Sequence, residues 1–253
     1  MVGGYEKASF SLFRRGIIHI QRKKSIYFSW GIGYIQNSLL PASSCFLDGA
    51  SRQRRLTMVE QGNFLQADKG IIIAADVATI EECQRLAELG NQAPEIVAIK
   101  VGFSLALRYG LPLVVKSVRE VSSLPLIYDH QKAATDIPAM GRSFAQICRY
   151  AGVEGVIFFP QAGPKTLEAF VSAAFESQLT PAVGLVMTHP AYLQSEGGFI
   201  ADKAPEVICQ LAIDLGVRAF VLPGTKPEIV KKFADGPLSA IKPVTIMMRL
   251  PHP

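Results

Sequence analysis

The chain has 253 residues, 49% of them hydrophobic and 19% charged, which suits one large α/β domain or two small ones with ample core to bury. Its formal net charge of +5 does not point to nucleic acid, because residues 1–57 carry nine Lys and Arg against Glu6 and Asp48, and the other 196 residues sum to −2. No run of about 18 apolar residues occurs, so no membrane span is expected.

Residues 1–57 form a basic extension. Its apolar and aromatic stretches, 17–20 and 25–38, lack a clear period, and it is Arg- and Ser-rich and acid-poor, as transit peptides are. Met58 offers a natural opening for the region that follows, so 1–57 is read as a disordered segment or a misassigned start, and 58–253 as the folded domain.

From Gly70 onward, short apolar runs alternate with amphipathic ones. Strands are predicted over 71–75, 96–101, 126–128, 155–159, 182–187, 219–222 and 244–247. They are β-branched and apolar on both faces, as buried parallel strands are. Helices are predicted over 79–89, 104–120, 137–150, 164–177, 203–215 and 226–233. Thr79 and Glu82 have the spacing of a capping box, and Pro227 suits the first turn of its helix. The alternation implies a parallel sheet, closed either as an open doubly wound sheet or as a (β/α)8 barrel. No G-x-G-x-x-G follows the first strand, whereas Asp76, Lys100, Asp129, Thr188 and Thr225 sit at or just past the ends of different strands. That spread is the pattern of a TIM-type barrel, but only seven strands are found and the chain closes on Met248-Arg249-Leu250-Pro251-His252-Pro253. The fold class is therefore read as an α/β TIM-type barrel, incomplete at about seven strands.

The four cysteines, Cys45, Cys83, Cys148 and Cys209, have no C-x-x-C spacing and no His cluster beside them, so no zinc site is expected. Three of them fall on predicted helices as small buried thiols, which fits a reducing cytoplasm.

The chemistry is concentrated in Tyr128-Asp129-His130-Gln131-Lys132-Ala133-Ala134-Thr135-Asp136-Ile137-Pro138, directly after a strand. Two carboxylates and an ammonium this close perturb one another strongly, which suits a reactive site, although a solvated charged turn has the same composition. Lys100, inside Val-Ala-Ile-Lys-Val-Gly, is hard to explain as core because an unpaired buried ammonium is costly. Val-Ala-Ile-Lys also occurs in kinases, but no Gly-rich loop or His-Arg-Asp accompanies it. Asp76 could cap a helix, His130 is read as a hydrogen-bonded structural residue, and His189 as a loop-shaping one.

Taken in order, Ile-Ala-Ala-Asp76, Ile-Lys100-Val-Gly, Asp129-His-Gln-Lys132-Ala-Ala-Thr-Asp136-Ile-Pro, Thr188-His189-Pro190 and Leu222-Pro223-Gly224-Thr225 resemble the orotidine 5′-phosphate decarboxylase family over about residues 69–230. The family's Asp-x-Lys-x-x-Asp is longer here by one residue in each gap. Residues three apart in a flat strand face opposite ways, so a bulge, or a turn beginning at His130, is required to bring Asp129 and Lys132 together. The resemblance implies decarboxylation of orotidine 5′-phosphate to UMP with no metal or organic cofactor. It implies that Lys100, Asp129 and Lys132 form a charged chain, with Lys132 the proton donor, and that Asp136 reaches the neighbouring site of a homodimer. It further implies ribose contacts for Asp76 and Lys100, a pyrimidine contact for Thr188, and places for Ile137 and Pro223 in the substrate pocket.

The sequence departs from the family in three places. The Gly-rich, Gln-containing phosphate loop and the later Arg are not found, Arg249 stands in a different context, and Met140 replaces a commonly polar residue. A phosphate grip supplies remote binding energy used at the reacting centre, so little turnover is expected without it. Two other readings stand beside the first. One is a sugar-phosphate decarboxylase or hexulose-phosphate synthase on the same scaffold, needing Mg²⁺ and an acidic pair. The other is a non-catalytic, truncated barrel whose two open edges would make it associate.

Overall fold

The computed structural model describes residues 32–36, 69–131, 133–241 and 244–248. Eight strands among them form one closed barrel in sequence order: β1 (Ile32–Gln36), β2 (Lys69–Ala75), β3 (Ile96–Gly102), β4 (Leu126–Asp129), β5 (Gly155–Phe158), β6 (Thr180–Gly184), β7 (Ala219–Pro223) and β8 (Val244–Met248). Strands β2 to β8 run parallel, each beside the next, and coincide with the seven expected from the sequence.

The eighth place is filled from the segment expected to stand apart. Strand β1 pairs antiparallel with β2, Ile35 opposite Gly70, and with β8, Ile35 opposite Ile246. The physical reason is the pair of edges that seven parallel strands leave. Their unpaired N–H and C=O groups need partners, and any extended segment within reach can supply them. The local pattern of residues 25–38 does not reveal a strand because its pairing is decided by those distant edges.

Helices α1 (Ile80–Asn91), α2 (Phe103–Tyr109), α3 (Leu111–Arg119), α4 (Met140–Ala151), α5 (Pro164–Glu176), α6 (Ala204–Asp214) and α7 (Pro227–Asp235) follow the strands. The capping box of α1 is present, with Thr79 Oγ1 accepting from Glu82 N and the Glu82 carboxylate accepting from Thr79 N. Pro227 opens α7 as expected. The single helix expected over 104–120 is broken at Gly110, whose φ of +81° is a left-handed conformation suited to glycine. Pro112 then sits in the first turn of α3, where a missing N–H does no harm.

Strands β2 to β7 have two apolar faces because each has two dry environments. Ile72, Ala98, Ile127, Ile157, Ala182, Ala219 and Val221 fill the barrel interior. Ile73, Ala75, Ile99, Val101, Leu126, Tyr128, Val156, Phe158, Val183, Phe220 and Leu222 face the helix layer. The alternation is strict, so a residue's parity tells which side it takes. Strand β6 ends at Gly184, short of the expected 187. A side chain at Gly184 would fall inside the ring of Phe159, so this glycine makes room for the aromatic that plugs the barrel.

Candidate functional site

The interior parity carries three charged residues to one mouth. Asp76 lies two residues past Ala74, which pairs with Lys100, while Lys100 is two beyond the inward Ala98 and Asp129 two beyond the inward Ile127. Parallel register sets Gly102 opposite Asp129, so the ends of β2, β3 and β4 meet.

Lys100 Nζ donates to Asp129 Oδ2 at 2.8 Å and to both oxygens of Asp76 at 3.2 Å. The Lys100 and Asp129 side chains are 8% and 3% exposed, whereas Asp76 is 61% exposed at the rim. Burial by itself lowers the pKa of Lys100, but the two carboxylates outweigh it, Asp129 ahead of Asp76, and hold it above its ordinary 10.5. A buried charge needs such partners. Asp129 Oδ1 is buried and has no hydrogen-bond partner among the described residues.

Gly102 shapes the cluster. A Cβ there would stand 2.7 Å from Asp76 Oδ1, although the backbone at φ −95° would accept any residue. Only the missing side chain lets the Asp76 carboxylate lie over this strand and reach Lys100. The sequence signal is the Gly two residues after Lys100, on the same inward face, and its function was not legible from spacing alone.

After Asp129 the chain turns at His130, one of the two devices expected there: Ala133 N donates to His130 O at 2.7 Å. Ala133 O then accepts from Phe159 N at 3.1 Å, and Ala134 takes a φ of +64°. Lys132 lies outside the described residues. Asp136 is not among the partners of Lys100 in this chain. It is exposed, its carboxylate accepts from Ile137 N at 2.7 Å, and its carbonyl accepts from Thr166 Oγ1 at 2.9 Å. Ile137 beside it is 62% exposed.

Thr188 is half-buried in the loop after β6, where its neighbour Met187 packs on the interior cluster. Pro223 is buried at the end of β7 with the parity of Ala219 and Val221. That loop after β6 is tied down by Glu196, which pairs with Lys226 at 2.6 Å, and by Tyr192, whose hydroxyl accepts from Gln161 Nε2 at 3.3 Å. His189 shapes it as expected, its Nδ1 lying 2.8 Å from Pro190 O. His130 is hydrogen-bonded, as expected, with its Nδ1 2.6 Å from the Tyr128 hydroxyl. Among the described residues, no group of three or more His, Cys, Asp or Glu is placed to hold a metal, and no helix is long and apolar enough to cross a membrane. Cys83, Cys148 and Cys209 are free and buried, and burial pushes their thiols up, Cys83 to about 11 and the other two to about 12.

The chain is similar to known proteins over most of this barrel. Residues 69–245 match the family model "Orotidine 5′-phosphate decarboxylase / HUMPS family". Orotidine 5′-phosphate decarboxylase of Methanosarcina mazei is 32% identical over 163 residues, covering 64% of this chain and 68% of that protein. The enzyme of that name from Methanococcoides burtonii is 33% identical over 177 residues, covering 68% and 76%. The crystal structure of the Methanocaldococcus jannaschii enzyme, complexed with the inhibitor BMP, superimposes with a TM-score of 0.56 at 25% identity, covering 65% of this chain and 72% of that one. The family match takes in the parallel strands β2 to β7 and the start of β8, the frame on which Asp76, Lys100 and Asp129 are mounted, and the chain belongs to the orotidine 5′-phosphate decarboxylase / HUMPS family.

Proposed function

We propose that this chain decarboxylates orotidine 5′-phosphate to UMP, a carboxy-lyase step of pyrimidine biosynthesis. The observation that carries the reading is the Lys100 ammonium held between Asp76 and Asp129 at the barrel mouth, with one Asp129 oxygen to which no described residue donates. A substrate carboxylate brought against Asp129 meets like charge, which loss of CO2 relieves. A cation beside the carbon then favours the developing carbanion and supplies its proton. We assign that proton to Lys132, the nearest lysine in sequence, on the turn that follows Asp129. Asp76 and Lys100 take the ribose hydroxyls, Thr188 the pyrimidine edge, and Ile137 and Pro223 line the pocket.

The reading includes a homodimer. Asp136, not a partner of Lys100, lies beside Ile137, which is 62% exposed; Met140 at the start of α4 is 42% exposed, and on α2 Phe103 is 59% and Leu107 79% exposed. Exposed apolar side chains of that size favour a protein partner, here a second copy whose site Asp136 would complete. Three free buried thiols fit work in the reducing cytoplasm.

The direct test is release of CO2 from carboxyl-labelled orotidine 5′-phosphate by the full chain. Lys132→Ala should abolish it, and retained turnover would reassign the proton donor. Mixing Lys132→Ala with Asp136→Ala subunits should restore about a quarter of wild-type activity, because half the dimers then hold one intact site. No recovery on mixing would remove Asp136 from the shared site.

A further inference from the structure

The strand end that presents Asp129 is also held from behind. Tyr128 faces the helix layer, and the His130 ring lies on the same side, 5.9 Å edge-on from Phe144 of α4, while Asp129 between them faces the interior. The Tyr128 hydroxyl is 2.6 Å from His130 Nδ1. Burial, helped by Cys148 and Asp129, pushes the Tyr128 phenol up to about 12, so it keeps its proton. Hydroxyl and Nδ1 share one short hydrogen bond, whichever of the two neutral imidazole tautomers is present. Phe144 carries the contact onward to Phe158 and Phe170 at 5.8 and 5.6 Å.

A buried tyrosine could satisfy its hydroxyl with any acceptor. Here the partner is the residue next but one, so the bond spans Asp129 and restrains the backbone on both sides of it. His130 is also the first residue of the turn, its carbonyl accepting from Ala133 N. The stretch from Asp129 to Asp136 is one residue longer in each gap than Asp-x-Lys-x-x-Asp, and added residues bring backbone freedom that must be restrained.

We propose that His130 is a positioning residue, anchored by Tyr128, that fixes Asp129 and the turn carrying Lys132 in the sequence. The mechanical part stands on geometry alone, and its consequence for turnover rests on the decarboxylase reading.

Three variants of the full chain test it: Tyr128→Phe, His130→Ala and His130→Asn, whose carboxamide can bond the hydroxyl in place of Nδ1. Hydrogen exchange at the Ala133 amide should quicken about three- to tenfold in the first two, with exchange in β5 and β7 unchanged, and return toward wild type in His130→Asn when Tyr128 is present. In the CO2 assay the first two should lower kcat with KM unchanged, and His130→Asn should recover it. Unchanged Ala133 exchange in Tyr128→Phe, or quickening that spreads equally to β5 and β7, would overturn the clamp. Faster exchange with undiminished kcat would overturn the positioning role. A wild-type chain that releases no CO2 would sink the decarboxylase reading, while the exchange measurement would still decide the clamp.

Discussion

Replacing Lys100 by Met tests the ion cluster most severely. The substitution nearly conserves volume and adds apolar surface, so packing alone predicts a change under about 1.5 kcal/mol. Electrostatics predicts more. The two partners differ in weight, because Asp76 at 3.2 Å is 61% exposed and an exposed pair contributes about 0–1 kcal/mol. Asp129 at 2.8 Å is 3% exposed and would lose the only ion-pair partner described for it. Stranding a buried charge in this way costs about 3–5 kcal/mol. With a urea slope of about 2 kcal/mol per molar, the unfolding midpoint should fall by about 1.5–2.5 M at pH 7. Lys100→Met/Asp129→Leu should recover most of that loss, since a buried pair replaced by apolar groups is often near neutral. A midpoint shift under about 0.5 M, or a double variant less stable than the single one, would refute the buried-pair reasoning.

Three further outcomes follow from the same geometry. Lys100 has its folded-state pKa raised above its ordinary 10.5, so its stabilising contribution is complete below that pH and is lost as pH rises through the folded value; urea unfolding between about pH 9 and 12 should show an alkaline loss that Lys100→Met lacks, and parallel profiles would contradict it. Gly102→Ala should push Asp76 off Lys100 while moving the melting temperature by only about 2–4 °C, yet weaken UMP binding about tenfold or more, the worth of a charged hydrogen bond; unchanged affinity would show that Asp76 does not hold the ribose. Ile35→Pro removes a ladder donor from β1, which pairs with both β2 and β8, and should open the barrel and raise the oligomeric state in analytical ultracentrifugation; an unaltered sedimentation profile and melt would show that β1 does not close the sheet.

Much of this was legible in the residues. Seven strands are apolar runs of the right length, and the Thr79–Glu82 box and Pro227 mark helix starts, because such signals are local. A bulge or a turn at His130 could be expected in advance if Asp129 and Lys132 are to meet, since they are three apart and a flat strand would oppose them. Other features were hidden for stated reasons. The amphipathic pattern of 104–120 continues across Gly110-Leu111-Pro112, so the break passes unnoticed until the glycine's positive φ is seen. Leu185 and Val186 are as buried as the strand before them, so apolar character does not mark where β6 ends. The bond between Tyr128 and His130 joins two side chains whose types carry no motif.

What the sequence determined by itself was the seven parallel strands and the approximate places of most helices, because hydrophobic period and turn chemistry act over a few neighbours. Only the tertiary structure decided that Asp76 and Asp129, 24 and 29 positions from Lys100, share its ammonium, and that a segment from the basic extension completes the sheet. Those outcomes depend on strand register and free hydrogen-bonding edges. Both are properties of the assembled barrel that no single stretch of chain contains.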